Sequence, residues 1–113
     1  MHEVGLMQSA LALAVEQTKS QGLSKIHSID LNVGELSGVV PEALKFAFEV
    51  VSVGTLAEGA QLNLNVVHTL CYCRHCCREF YPMSWIYKCP RCQCLSSDIR
   101  EGQNLELVSL EMS

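Results

Sequence analysis

The chain of 113 residues lacks several features that define large classes of protein. It has only 8 Lys and Arg against 12 Asp and Glu, so general nucleic-acid binding through phosphate neutralisation is disfavoured. No apolar run approaches the roughly 20 residues that span a bilayer. The N-terminus also lacks the basic stretch followed by an apolar run that a secretory signal carries. We therefore expect a cytoplasmic protein without membrane or nucleic-acid partners.

Signatures of catalysis are also missing. There is no His-Glu-x-x-His pattern of an open catalytic zinc site, and nothing gathers Ser, His and Asp around a nucleophile. Glu35 and Glu42 could suggest a carboxylate pair, but they fit better beside a turn and at a helix start, where Glu42 favours the helix dipole. His27 and His68 lie on or beside expected strands, where structural histidines are commoner than ligands. We expect that the protein is not an enzyme.

Cysteine, in contrast, is abundant and confined to one stretch. All seven cysteines lie between residues 71 and 94, and two pairs have the Cys-x-x-Cys spacing that lets two tight turns grip one tetrahedral zinc. Only one choice of four cysteines as ligands gives two turns of equal length. We therefore predict a closed structural zinc site made by Cys73, Cys76, Cys89 and Cys92. Ligand swapping stays open, because the other three thiols lie one or two positions from these ligands: Cys71, Cys77 and Cys94.

A disulfide framework or a redox dithiol is the alternative interpretation of these cysteines. Seven is an odd number, so a disulfide framework would leave one thiol unpaired. A thioredoxin-like site would carry one Cys-x-x-Cys pair rather than two. A metal in a reducing compartment is the better interpretation.

The rest of the chain predicts an α+β fold with a real core, since 49% of its residues are hydrophobic. Helices are expected over about residues 4–20 and from Pro41 towards Gly54, and strands over 26–33, around 62–66 and over 105–112. The alternation of the last strand changes phase at Val108, which indicates a bulge or a strand covered on both faces. We predict two helices packed on one face of a three-stranded sheet, with a zinc-ribbon-like insert between the last two strands.

These elements predict two domains. Residues 1–68 together with 105–113 would form an α/β domain, and residues 69–104 would form a zinc-binding domain. The core of the second domain is too small to fold unaided, so we expect the ion to supply much of its folding free energy.

The N-terminus offers a second kind of donor set. The α-amine of Met1, the next amide nitrogen and the imidazole of His2 can chelate a metal in one plane, with Glu3 or another group in the fourth position. Planar nitrogen and oxygen donors suit Ni²⁺ or Cu²⁺ better than zinc. From spacing alone, however, a solvated terminus is the more frequent outcome.

Several stretches together resemble the HypA/HybF family, the nickel metallochaperones of NiFe-hydrogenase maturation. The stretches are Met1-His2-Glu3 opening a helix, Val33-Gly34-Glu35-Leu36-Ser37, Pro41 to Glu49, Gly54-Thr55 with Ala57-Glu58-Gly59-Ala60, and the pairs Cys73-x-x-Cys76 and Cys89-Pro-x-Cys92. The resemblance covers essentially the whole chain, and the combination is specific although each piece is weak. The extra thiols Cys71, Cys77 and Cys94 depart from the usual pattern.

The resemblance implies a structural Zn(II) on Cys73, Cys76, Cys89 and Cys92 and a labile Ni(II) at the N-terminus with His2 as ligand. The Met1 amine and Glu3 are further candidate ligands, which makes the α/β domain the nickel-binding one. Similar proteins pass nickel to the hydrogenase large-subunit precursor together with the GTPase HypB, and in some organisms the nickel also serves urease maturation. The recipient enzyme stays open, as does the choice between a monomer and a domain-swapped dimer.

The competing hypothesis is a zinc-ribbon interaction module without nickel transfer. Basic and aromatic residues surround the cysteines and could stack on single-stranded bases: Arg74, Arg78, Lys88, Arg91 and Arg100 with Tyr72, Phe80, Tyr81, Trp85 and Tyr87. The simpler interpretation, favoured by the acidic composition, is that the aromatic residues form the core of the insert and the cations form a solvated face.

Overall fold

The computed structural model describes the backbone of residues 2–113 and the side chains from Glu3 onward. The described residues form two helices and six strands, in the order α1 (His2–Ser20), β1 (Ile26–Gly34), α2 (Pro41–Val51), β2 (Gln61–Val67), β3 (Leu70–Cys73), β4 (Arg78–Phe80), β5 (Asp98–Glu101) and β6 (Leu105–Met112). Within these residues, neither helix has the length and hydrophobicity that a membrane-spanning helix requires.

The main sheet has the order β2-β1-β6, with β1 parallel to β2 and antiparallel to β6. Alternate side chains of the central strand β1 are buried, as the predicted period of two requires. These side chains pack against the apolar faces of both helices. The buried residues of these three elements in this core are Met7, Leu11 and Ala14 of α1, Ile26, Ile29, Leu31 and Val33 of β1, and Leu44, Ala47 and Phe48 of α2. The prediction of two helices against a three-stranded sheet is confirmed.

The last strand contains a bulge where its hydrophobic alternation changes phase. Asp30 pairs with Ser109 and the next residue, Leu31, pairs with Leu107, so Val108 has no partner in the register. Val108 is exposed, whereas Leu107 and Leu110 on either side both pack against the core. The extra residue lets the apolar side chains on both sides of it point towards the core. Of the two explanations offered for this strand, the bulge is therefore correct.

The insert between β2 and β6 has a sheet of its own, in the order β4-β3-β5. Its small core consists of Cys71, Cys73, Phe80 and Cys89, with Tyr87 and Ile99 packed against it. The expectation that the aromatic residues form this core is wrong for two of them, because Trp85 is 85% exposed and Tyr81 is 63% exposed. Only Phe80 among the aromatic residues is buried there, because it alone points inward from the short strand β4.

The last residue of β1 and the turn after it join the insert to the main sheet. The N–H of Gly34 donates to the carbonyl of Asn104 at 2.8 Å, and the N–H of Leu36 donates to the carbonyl of Gly102 at 2.6 Å. A Cβ atom at Gly34 would lie 2.4 Å from the carbonyl oxygen of Gly102, closer than side-chain carbons are found. Glycine is therefore required at position 34 by the approach of another backbone.

Glu35 binds the other connection through its side chain. Its Oε1 accepts hydrogen bonds from the backbone N–H of Thr69 at 3.1 Å and from the Thr69 hydroxyl at 2.8 Å. Its Oε2 lies 3.2 Å from Nδ1 of His68. The Thr69 donors and then His68 stabilise the charged form, so the pKa of Glu35 is lowered. Glu35 lies in a turn, as expected, and its carboxylate binds the connection to the insert, which its position in the sequence did not indicate.

The division into domains at residues 69–104 stays a prediction about independent folding. The structure shows two sheets and two buried clusters, connected through residues 67–69 and 102–104. Outside these connections His27 is also bound, since its Nε2 lies 2.7 Å from the hydroxyl of Ser113. His27 and His68 thus each have a neighbouring partner, as expected for structural histidines.

We predict that Gly34→Ala lowers the free energy of unfolding by about 2–3 kcal/mol, because the new methyl group must displace the backbone of residues 102–104. Gly5→Ala is the matched control. A Cβ at Gly5 meets no atom within 4 Å, so alanine there should stabilise α1 by up to about 1 kcal/mol. Urea unfolding of both variants checks the pair, and equal effects would contradict the proposed close approach.

We predict that Glu35→Ala destabilises the protein by about 1–2 kcal/mol at neutral pH, because the buried Thr69 loses the acceptor for two donors. The folded-state pKa of Glu35 is depressed below its ordinary value of 4.5, so its stabilisation is present above that pH and is lost as pH falls further. Unfolding curves of wild type and variant should therefore converge in acid. Glu111→Ala, at an exposed position of β6, is the matched control.

Candidate metal centre

Two tight turns bring four cysteines together. The first turn follows β3, in which Cys73 is the last residue, and leads through Cys76 into β4. The second turn runs from Cys89 to Cys92 and is closed by a bridge between Lys88 and Leu95. The four Sγ atoms all lie within 4.8 Å of one another, and those of Cys73 and Cys92 are 3.5 Å apart.

The two turns share an unusual backbone conformation. The residue after each Cys-x-x-Cys pair has a positive φ angle, 56° for Cys77 and 70° for Gln93. This left-handed region costs a residue with a side chain about 1–2 kcal/mol, so the surrounding structure must hold it in place. Backbone N–H groups inside the turns point back at sulfur, as that of Cys76 does towards the Sγ of Cys73 at 3.4 Å.

The pKa values of two of the clustered thiols are shifted in opposite directions. The N–H of Cys92 and then that of Arg91 bind the sulfur of Cys89 and lower its pKa to about 7. Hydrogen bonding to Cys92, followed by burial, raises the pKa of Cys76 to about 12. One thiolate in this cluster therefore makes the next thiolate harder to form, and a cation bound among the sulfurs would remove this conflict.

The donor set fits one divalent ion. Four sulfurs at about 2.3 Å from a tetrahedral zinc lie about 3.8 Å from one another, which is close to the separations found here. Cys73 and Cys89 are buried while Cys76 and Cys92 are half-buried, so an ion would have little access to water. The arrangement has the closed character of a structural site rather than the open position of a catalytic one.

The three remaining cysteines are held away from this group. Cys71 is fully buried in the sheet of the insert, where burial raises its thiol pKa. Cys77 is exposed and its Sγ lies 3.6 Å from the carbonyl oxygen of Arg74. Cys94 is exposed and accepts the backbone N–H of Cys89 on its carbonyl. The sequence left open whether one of these three thiols replaces a predicted ligand. Within residues 3–113, the four cysteines above are the only group of three or more side chains that could hold a metal ion.

The predicted nickel ligands at the N-terminus lie mostly outside the described residues. Met1 is not described, and His2 is described only as the first residue of α1. Glu3 is half-buried in the first turn of that helix, where a carboxylate is favoured by the helix dipole. The assignments of nickel to His2 and of zinc to the four cysteines therefore stay predictions about ligands.

The whole sequence is similar to one family of proteins. Residues 1–112 match the family described as "Hydrogenase/urease nickel incorporation, metallochaperone, hypA". Two relatives are each named "Hydrogenase maturation factor HypA". That of Picosynechococcus is 47% identical over 112 residues and that of Acidithiobacillus ferrooxidans is 35% identical over 112 residues, with 99% of each chain covered in both comparisons.

Two solved structures share the fold. The solution structure of the Ni metallochaperone HypA from Helicobacter pylori has a TM-score of 0.71 and 26% sequence identity, covering 97% of this chain and 96% of the other. A second structure, described as the solution structure of HypA protein, has a TM-score of 0.75 and 28% identity, covering 100% and 97%. The likeness therefore covers nearly the whole chain, including the part that carries the cysteines.

Proposed function

The chain belongs to the HypA family, and we propose that it is a nickel metallochaperone which binds Ni(II) at its N-terminus and delivers it for maturation of NiFe-hydrogenase. The observation that supports this proposal most is the match of residues 1–112, which includes the N-terminal helix as well as the cysteine turns. A likeness limited to the cysteine turns would have supported only a general zinc module.

We assign Zn(II) to the four clustered cysteines as a structural ion. Thiolates are the ligands that zinc prefers in closed tetrahedral sites, and the opposite pKa shifts of Cys76 and Cys89 support a cation among the sulfurs. The ion would supply folding free energy to residues 70–101, whose core is small. Its role is to hold the insert in shape.

Nickel, in contrast, is the cargo. We propose His2 as its ligand, with the Met1 amine and Glu3 as additional candidates. Nitrogen and oxygen donors suit Ni(II), whereas a closed cage of sulfurs does not suit an ion that must leave. The imidazole and the amine must be deprotonated to bind, so nickel should be released as the pH falls through the range in which they protonate.

The partners follow from the same proposal. We expect a HypB-type GTPase and the hydrogenase large-subunit precursor to bind this protein in the cytoplasm, with urease maturation factors as a further recipient system. We propose no enzymatic activity and no nucleic-acid or membrane partner. The zinc-ribbon module without nickel transfer is the weaker candidate, because it leaves the match of the helices and the main sheet unexplained.

We predict that His2→Ala weakens nickel binding strongly. Loss of a residue that only supports a metal ligand costs about 10–100-fold in affinity, and loss of a ligand itself should cost more. A glycine added before Met1 should do the same, because it turns the α-amine into an amide. Equilibrium dialysis measures affinity, and nickel-edge absorption measures the ligands. The matched control is His27→Ala, which removes an imidazole bound to Ser113 instead.

Zinc content must be followed in the same samples. The proposal requires zinc to stay bound in all these variants while nickel is lost from two of them. It fails if the extended protein keeps the affinity and geometry of the native one, or if nickel enters only by displacing zinc.

We predict that Cys76→Ser loses zinc and exposes residues 70–101 to rapid hydrogen exchange, since removing one of four ligands opens the site. Cys77→Ser is the matched control, because its exposed sulfur contacts a carbonyl outside the cluster. Metal analysis after gel filtration checks both variants. Equal zinc loss in the two proteins would show that the ligands have been assigned wrongly.

A further inference from the structure

A cavity of about 370 Å³ lies where the insert meets the turn that follows β1. Glu35, Leu36 and Thr69 line it from the junction with the main sheet, and the insert contributes residues between 82 and 87. We call it the junction cavity. Its volume is at the lower end of the range of ligand pockets, about 300–1,000 Å³, so it suits one long side chain better than a whole helix.

The junction cavity has a negative charge in its wall. Among the described residues that line it, Glu35 alone is charged, and the neighbouring Lys88 does not line it. Oε1 of Glu35 accepts both donors of the buried Thr69, whereas Oε2 lies near one described donor, Nδ1 of His68 at 3.2 Å. The Glu35 side chain is 46% exposed, so Oε2 has room for a further donor.

The charge on Glu35 is fixed in place and persistent. The two donors of Thr69 hold the carboxylate against the connection to the insert, so it is not a freely rotating surface group. These bonds also stabilise its charged form and lower its pKa, so the carboxylate is ionised throughout the neutral range. An anion that is already oriented binds a cation with little loss of side-chain freedom.

The insert supplies aromatic and thioether side chains to the same cavity. Trp85 is 85% exposed and Met83 is 96% exposed, whereas Tyr87 is half-buried and packs against the small core of the insert. The face of an aromatic ring attracts cations, and the indole of tryptophan does so most strongly. The junction and the insert therefore favour the same ligand, a cation with an apolar or flat body.

Other classes of ligand fit the junction cavity less well. A neutral apolar group would remove water from an ionised carboxylate without replacing its hydrogen bonds, which is costly. An anionic group would be repelled by the same carboxylate. A metal ion needs several donors, and within residues 3–113 three or more metal-binding side chains meet only at the four cysteines. The cavity therefore suits an organic cation.

We propose that the junction cavity binds an arginine side chain of a partner protein, whose guanidinium donates to Oε2 of Glu35 and lies against the ring of Trp85. Arginine fits better than lysine, because its planar guanidinium has several donors in fixed directions and stacks on aromatic faces, whereas an ammonium group is compact and strongly hydrated. The bound arginine would contact the junction and the insert at once. This proposal does not depend on the assigned nickel and zinc ligands, so the two can fail separately.

The single tryptophan makes the contact measurable, because its indole N–H gives one NMR signal. With zinc-loaded full-length protein at neutral pH, we expect the blocked tripeptide glycyl-arginyl-glycine to move this signal to saturation, with a Kd of about 1–10 mM. The same peptide with citrulline, which is uncharged and of similar shape, should bind at least about tenfold more weakly. The lysine peptide should bind at least about threefold more weakly than the arginine peptide.

Two variants remove the two halves of the site. Glu35→Gln keeps an oxygen that accepts the donors of Thr69 but removes the charge, and it should weaken binding of the arginine peptide at least about fivefold. Trp85→Ala should do the same, and the backbone amide signals of Leu36 and Thr69 report binding in that variant. Circular dichroism and zinc content check that both proteins are folded.

The matched controls are Glu79→Gln and Tyr81→Ala. Each makes a comparable change at an exposed position of the insert that does not line the junction cavity, so each should keep the affinity within about twofold. Four results would overturn the proposal. These are a signal that does not saturate with the arginine peptide, equal binding of the citrulline or lysine peptide, full affinity in both test variants, or equal losses in the controls.

Discussion

Four thiol groups within 4.8 Å of one another are the constraint on which the second half of the molecule depends. Each thiolate disfavours the next, and the wide separation between the pKa values of Cys76 and Cys89 expresses this conflict. A divalent cation bound among them would remove the conflict, because all four sulfurs would attract it. The left-handed residues at 77 and 93 follow from the same constraint, since the chain must reverse sharply to aim two sulfurs from each turn at one point.

The proposed division of metals follows from donor chemistry. A buried or half-buried set of four sulfurs would keep an ion, because release would restore the repulsion among the sulfurs beside a core made of Cys71, Phe80 and Cys89. An ion that has to be passed on needs donors whose release leaves the fold intact. The N-terminus would meet this requirement, since the first buried side chain among the described residues of α1 is that of Met7.

The sequence predicted those parts of the fold that obey a regular period or a fixed spacing. The two helices and three long strands follow from hydrophobic periodicity, and the changed phase at Val108 already indicated the bulge. The three strands of the insert were not predicted, because strands of three or four residues are too short to show a period. The exposure of Trp85 was also missed, because aromatic residues near a metal site are expected to form its core.

The contact between Gly34 and Gly102 could not have been predicted either, since it joins segments far apart in the chain. A single glycine in a turn indicates only a turn. Of the candidate site, the spacing of the cysteines predicted which four sulfurs meet, whereas the separate positions of Cys71, Cys77 and Cys94 depend on sheet pairing and turn conformation that the spacing does not contain.

The segment 34–36, which ends β1 and begins the following turn, has one further consequence for motion. It is bonded to both connections at once, through Asn104 and Gly102 on one side and through Val67 and Thr69 on the other. A tilt of the insert would therefore lengthen hydrogen bonds to both connections together. The two connections are tied to each other through this short segment, so neither can shift far without the other.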